Sequence, residues 1–198
     1  MAKQNTKQAS PVYKSGRLFI ISAPSGAGKT TLCKALLSHF KEMVYSISTT
    51  TRKPRPEERD GVDYFFIPKE EFLDRIQKNR WAEWALVHDN YYGTSAQYLN
   101  HQLSAGKDVL MDIDVQGAKQ ILSRYPDSIT IFIMPPDVDV LKDRMLSRGE
   151  DDEAIIQKRL LNAKKEMEQK DLYRHIITND RFEDALAELI SIIESYQQ

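Results

Sequence analysis

A single cysteine, Cys33, excludes an internal disulfide, and the four histidines, His39, His88, His101 and His175, are too scattered to supply zinc-site spacing. Long apolar runs are also missing. Leu18–Ala23 and Ile129–Met134 are far shorter than a membrane span, and the polar start Met1–Ser10 lacks the apolar segment of a secretory signal. Net charge is nearly absent, with 28 Lys plus Arg against 29 Asp plus Glu, so no overall basic field exists to hold nucleic acid or a membrane surface. These absences predict a cytoplasmic protein that binds neither nucleic acid nor membrane. Any anion it takes must be met by local clusters. What is present is an ordinary globular balance, 41% hydrophobic and 29% charged over 198 residues, which suits one compact core. Residues 1–16 carry Lys3, Lys7 and Lys14 with no acidic residue, and read as a disordered tail.

The order of patterns along the chain is that of an α/β fold. Arg17–Ala23, RLFIISA, is almost wholly apolar and ends in Pro and Gly, the mark of a strand buried on both faces and so of a parallel sheet. Comparable runs recur at Val109–Ile113 and Ile129–Met134, with Ile176 and Ile177 marking another. Helical patterns at Lys29–Phe40 and Val138–Leu146 separate them. Phe182, Leu186, Leu189, Ile190 and Ile193 form one stripe of a last helix, a packing face. Between about residues 50 and 107 the alternation gives way to Pro-rich, charged and aromatic segments, with a half-buried strand expected over Val62–Ile67. The expected division is a tail (1–16), a core (17–49, 108–146 and 170–198), an insert (50–107) and a charged lid (147–169).

Directly after the first strand stand Ala23, Pro24, Ser25, Gly26, Ala27, Gly28, Lys29 and Thr30, and a helix follows at once. Glycines let backbone N–H groups surround a phosphate, and the helix N-terminus adds partial positive charge. Lys29 can reach β- and γ-phosphates, and the Thr30 hydroxyl can ligate magnesium. This is a nucleotide phosphate loop, with Ala23 where the strict pattern has Gly; alanine fits there if its φ is negative. Asp112 ends an apolar strand, where a magnesium-organising carboxylate would stand beside Lys29 and Thr30; an Asp in that position is also a common turn residue. Cys33, one turn along the helix, reads as a packed residue.

The phosphate loop alone does not distinguish a small kinase from an ATPase or GTPase. In the insert, Thr49-Thr50-Thr51-Arg52-Lys53-Pro54-Arg55-Pro56 sets two arginines three residues apart on a backbone restricted by prolines, a suitable fork for a second phosphate or else a solvated basic stretch. Read alone, Glu83 passes for a solvated helical residue, and Tyr91 and Tyr92 for core or surface aromatics.

SAPSGAGKT, Ser48 with TTTRKPRP, Asp60-Gly61-Val62-Asp63-Tyr64, Glu83-Trp84-Ala85, Asn90-Tyr91-Tyr92-Gly93-Thr94 and Asp112-Ile113-Asp114-Val115-Gln116-Gly117 together resemble the guanylate kinase family, from about residue 17 to the end. The resemblance implies a P-loop parallel sheet with helices on both faces, a GMP-binding insert and a helical lid. It also implies phosphoryl transfer from ATP to GMP with magnesium held at Thr30 and Asp112. By that resemblance Arg52, Arg55, Tyr64 and Tyr92 hold the GMP phosphate, while Ser48, Glu83, Thr94 and Asp114 surround the base. Lys29 and Arg52, with Arg144, Arg148 and Arg159, supply charge to the transferring group. Two other readings are open: a non-catalytic guanylate-kinase-like module that binds phosphopeptides, and a sugar-phosphate kinase of the same superfamily. Oligomeric state is not legible in the sequence.

Overall fold

Five consecutive buried residues make β1 (Leu18–Ser22), and their side chains divide between two cores because successive residues of a strand face opposite ways. Phe19 and Ile21 enter one hydrophobic cluster, and Leu18 and Ile20 the other. The structure is a computed structural model describing residues 15–87, 89–147 and 153–197. Arg148 and all but the last two residues of the expected tail lie outside the described residues.

The remaining strands are β2 (Val44–Tyr45), β3 (Thr49–Thr50), β4 (Phe65–Phe66), β5 (Trp81–Val87), β6 (Asn90–Ser95), β7 (Val109–Asp112), β8 (Ile129–Met134) and β9 (His175–Thr178). The helices are α1 (Lys29–His39), α2 (Lys69–Gln77), α3 (Ala96–Ser104), α4 (Val115–Arg124), α5 (Val138–Leu146), α6 (Glu153–Met167) and α7 (Phe182–Gln197). The larger sheet runs β2-β7-β1-β8-β9, and each of its pairings is parallel. The α/β fold read from the sequence is therefore the fold observed.

Helices cover both faces of that sheet, as an all-parallel arrangement requires. On one side α1 contributes Leu32, Cys33 and Leu36, and α7 contributes Ala185, Leu189 and Ile193 at four-residue spacing. On the other lie Leu99 of α3 and Val115, Ala118 and Ile121 of α4. Several helix starts follow from local chemistry. Ser95, Asp114 and Asp137 each accept a backbone N–H three residues on, from Tyr98, Gly117 and Val140, and so cap α3, α4 and α5. Helices α5 and α6 share a small core of their own, Leu141, Met145, Ile156, Leu160 and Ala163.

A second, four-stranded sheet, β4-β3-β6-β5, arises from the segment between β2 and α3. Its own core is aromatic: Phe72 of α2 is wholly buried and stacks on Trp81 (ring centroids 4.2 Å apart) and on Tyr91 (5.3 Å). The strand expected over Val62–Ile67 is reduced to Phe65–Phe66. Gly61 turns the chain at φ 71, and the Asp60 and Asp63 carboxylates accept the Phe66 and Arg59 N–H groups, so turn chemistry displaces the ladder up to Tyr64. Among the described residues no helix is long and apolar enough to cross a membrane.

Candidate active site

Parallel register sets one half of the site. Ile21 of β1 lies opposite Asp112 of β7, so the loop leaving β1 and the carboxylate ending β7 emerge side by side at the carboxyl edge of the sheet. Lys29, the first residue of α1, makes an ion pair with Asp112 there. Burial lowers the Lys29 pKa, and negative charge nearby, including that of Asp114 and Glu166, pulls it back up. Thr30 is exposed beside it at the helix start, and the first turn carries no acidic residue that would repel a phosphate.

The loop between β1 and α1 takes its shape from two glycines. Gly26 (φ 92) and Gly28 (φ 91) lie in the left-handed region, and the Ala27 N–H closes the turn onto the Pro24 carbonyl at 3.1 Å. A Cβ on Gly28 would also lie 2.5 Å from Nδ2 of Asn179. Ala23 is buried, and among the described residues the only non-glycine residues at positive φ are Asn79 and Asp89, so alanine fits the first loop position as expected. Burial pushes the Cys33 thiol up to about 11, which leaves it a packing residue.

The other half of the site is a cavity of about 240 Å³ between the two sheets, lined by residues that include Ser48, Tyr64, Glu83, Tyr92, Asp112 and Asp114. Glu83 is only 5% exposed and lies on β5 rather than on a helix, so its solitary reading is corrected. The patterned run is WAEWALV, whose apolar and aromatic residues fit a half-buried strand. Its carboxylate accepts the Thr94 hydroxyl at 2.7 Å. Burial, with help from Asp114, raises its pKa to about 7 against the opposing Thr94 bonds. Asp114 uses one oxygen to cap α4. Tyr91 and Tyr92 divide as neighbours on a strand must, Tyr91 into the insert's aromatic core and Tyr92 to the cavity.

At the cavity rim Arg52 is held from several sides. It donates to Tyr92 Oη (3.2 Å), the Lys53 carbonyl (2.8 Å) and Glu58 Oε1 (2.7 Å), and its guanidinium lies 5.5 Å from the Tyr64 ring centre. Glu58 also accepts the Arg55 backbone N–H at 2.8 Å, while Arg55 itself is exposed. The stiffness ascribed to two prolines is therefore shared with a carboxylate that binds both arginine positions.

The family model described as guanylate kinase matches residues 15–196. The chain belongs to the guanylate kinase family. It is 44% identical to the guanylate kinase of Thermotoga maritima, over 91% of this chain and 87% of that protein, and 45% identical to that of Latilactobacillus sakei, over 91% and 89%. A crystal structure of guanylate kinase from Anaplasma phagocytophilum superposes with a TM-score of 0.76 at 29% identity, covering 93% of this chain and 88% of that one.

Of the three arginines expected to supply charge to the transferring group beside Lys29 and Arg52, two are described. Arg144 of α5 donates to the carbonyls of Asn179 (3.0 Å) and Asp180 (3.5 Å), and Arg159 of α6 donates to Ser25 Oγ in the phosphate loop at 2.6 Å. Arg148 lies outside the described residues. Four residues near the site escaped the sequence reading. Glu58 holds Arg52. Gln120 of α4 pairs with both the N–H (3.1 Å) and the carbonyl (2.8 Å) of Trp84, next to Glu83. Glu166 of α6 has its pKa raised, first by burial and then by Asp114, with the Ser25 backbone N–H and Lys29 opposing. Asn179 follows β9 and reaches the phosphate loop. Only the last had a usable signal: a polar residue just past an apolar strand, at the sheet edge where ligands collect in parallel α/β folds.

Proposed function

We propose that this chain transfers the γ-phosphoryl group of ATP to GMP, giving ADP and GDP. The observation that carries the reading is Glu83, buried in a cavity with Ser48 and Asp114 that is also lined by Asp112, the ion-pair partner of Lys29. Guanine presents N1–H and an amino group side by side, and one carboxylate accepts both. Adenine has an acceptor at N1 and would leave that carboxylate unpaired, which is a strong basis for discrimination.

Roles follow from the chemistry of each group. The loop Ala23–Thr30 cradles the ATP phosphates, with Lys29 exchanging Asp112 for phosphate oxygens. Arg52 and Arg55, with Tyr64 and Tyr92, hold the GMP phosphate, and Ser48, Glu83, Thr94 and Asp114 enclose the base. That phosphate is already an ionised nucleophile at neutral pH, so no general base is needed, and the rate depends on alignment and on positive charge around the equatorial oxygens. Lys29, Arg144, Arg148 and Arg159 supply that charge. Among the described residues no cluster of three or more acidic, His or Cys side chains could cage a cation, so the donor set fits a magnesium ion that arrives on ATP and keeps most ligands from phosphate and water. Thr30 and Asp112 would hold it. Bound there, magnesium would neutralise phosphate charge. Residues 147–169 act as a lid and 50–107 as a closing insert, which together exclude water before transfer.

The sugar-phosphate and phosphopeptide alternatives are not favoured, since the first has no use for Glu83 and the second none for Lys29 and Asp112. The test is ADP release with ATP, magnesium and each nucleoside monophosphate in turn. GMP should exceed AMP in kcat/KM by about 10²-fold or more. Equal use of AMP would remove the guanine assignment.

A further inference from the structure

Asn179 is 6% exposed at the start of the turn between β9 and α7, and polar bonds run from it in three directions. Its backbone N–H donates to the Met134 carbonyl at the end of β8 (2.8 Å). Its carbonyl accepts Arg144 Nη2 (3.0 Å). Its side-chain Nδ2 donates to the Ala27 carbonyl inside the phosphate loop (2.7 Å), across a separation of 152 residues. The same Nδ2 lies 2.5 Å from where a Cβ on Gly28 would stand, so the amide is seated against the bend of the loop.

From this geometry we infer that Asn179 is the positioning residue that fixes the phosphate loop to the end of the sheet and sets Arg144 in the same frame. A loop that offers its N–H groups to a phosphate must turn carbonyls away from it, and a buried carbonyl needs a donor. The Ala27 carbonyl is satisfied by Asn179. Because β8 holds Asn179 by its backbone, the loop takes its orientation from the sheet rather than from its own two flexible glycines. Neither Asn179 nor the residues it bonds, Ala27, Met134 and Arg144, line the base cavity. The two nucleotides therefore respond differently when the clamp is broken.

The inference rests on the proposed function in naming ATP as the loop's ligand. Its test is direct binding of ATP and of GMP, each alone, by titration calorimetry to the full-length parent and to Asn179→Asp and Asn179→Ala, with urea unfolding run in parallel. Asn179→Asp keeps the size and the backbone bonds but presents an acceptor to the Ala27 carbonyl. ATP affinity should fall by about tenfold or more in both variants, with GMP affinity within about twofold of the parent. ATP affinity within about twofold of the parent in Asn179→Asp, or an equal loss for ATP and GMP, overturns the clamp. Turnover of GMP by the parent is measured separately: its absence would remove the proposed function, while the clamp would still be judged from ATP affinity alone.

Discussion

At the scale of single residues, the proposed guanine contact of Glu83 joins specificity to instability. Its folded pKa of about 7 stands above the ordinary 4.5, so the folded state holds a proton that the unfolded chain releases between those values. Stability from this group is greatest below pH 4.5, falls as pH rises toward 7, and stays reduced above it; the full cost is on the order of 3 kcal/mol. The proposed guanine binding runs the other way, because only the ionised carboxylate accepts two donors. GMP affinity should therefore rise with pH through about 7, and binding below that pH should release a proton, readable by calorimetry in buffers of different ionisation enthalpy. Glu83→Gln should raise KM for GMP by about 10²-fold or more, leave KM for ATP within twofold, and increase the thermal midpoint at pH 8. A variant that keeps GMP kinetics would refute the base pocket. The residue types here were legible, but burial was not: a carboxylate among Trp81, Trp84 and Ala85 reads as exposed until a second layer is placed over it.

At the scale of elements, α4 ties the base pocket to the core. Gln120 takes the place of a neighbouring strand by bonding both backbone polar groups of Trp84, and Arg124 donates to the Trp81 carbonyl three residues earlier on the same strand. Gly117 lets the helix approach, since a Cβ there would come within 3.0 Å of Glu83 Oε2. Register on β5 decides whether Glu83 faces the cavity, because a slip of one residue would turn it outward. Gln120→Ala should cost about 1 kcal/mol of stability, since Trp84 is partly open to water, and raise KM for GMP several-fold with KM for ATP unchanged. Equal change in both constants would mean that α4 does not act through β5. The strongly patterned elements β1, α1, β8 and α5 could be read from apolar period and loop chemistry. Two-residue strands such as β3 and β4 could not, because their pairing partners decide them.

For the whole molecule, the phosphate loop follows a strand of one sheet and Glu83 lies on a strand of the other, and α6 reaches from its small core with α5 back to the phosphate loop through Arg159 and Ser25. Transfer requires those parts to converge on one phosphoryl group, which the proposed lid and insert achieve by closing. Small-angle scattering should therefore give a smaller radius of gyration with GMP and a non-hydrolysable ATP analogue together than with neither. An unchanged radius would remove closure from the mechanism.

By itself the sequence determined a parallel α/β core with a phosphate loop after its first strand, since apolar period, glycine positions and Lys29-Thr30 are local signals that need no distant partner. It also identified the family, through motifs that keep their order. The tertiary structure alone decided that Glu83 is buried and near-neutral in pKa, that Glu58 stiffens the arginine fork, and that Asn179 grips the loop across 152 residues. The burial of Glu83 and the grip of Asn179 depend on desolvation or on a hydrogen bond between segments far apart in the chain, energies that exist only once the sheets have brought those segments together, whereas Glu58 lies six residues from Arg52 and needs only the turn between them.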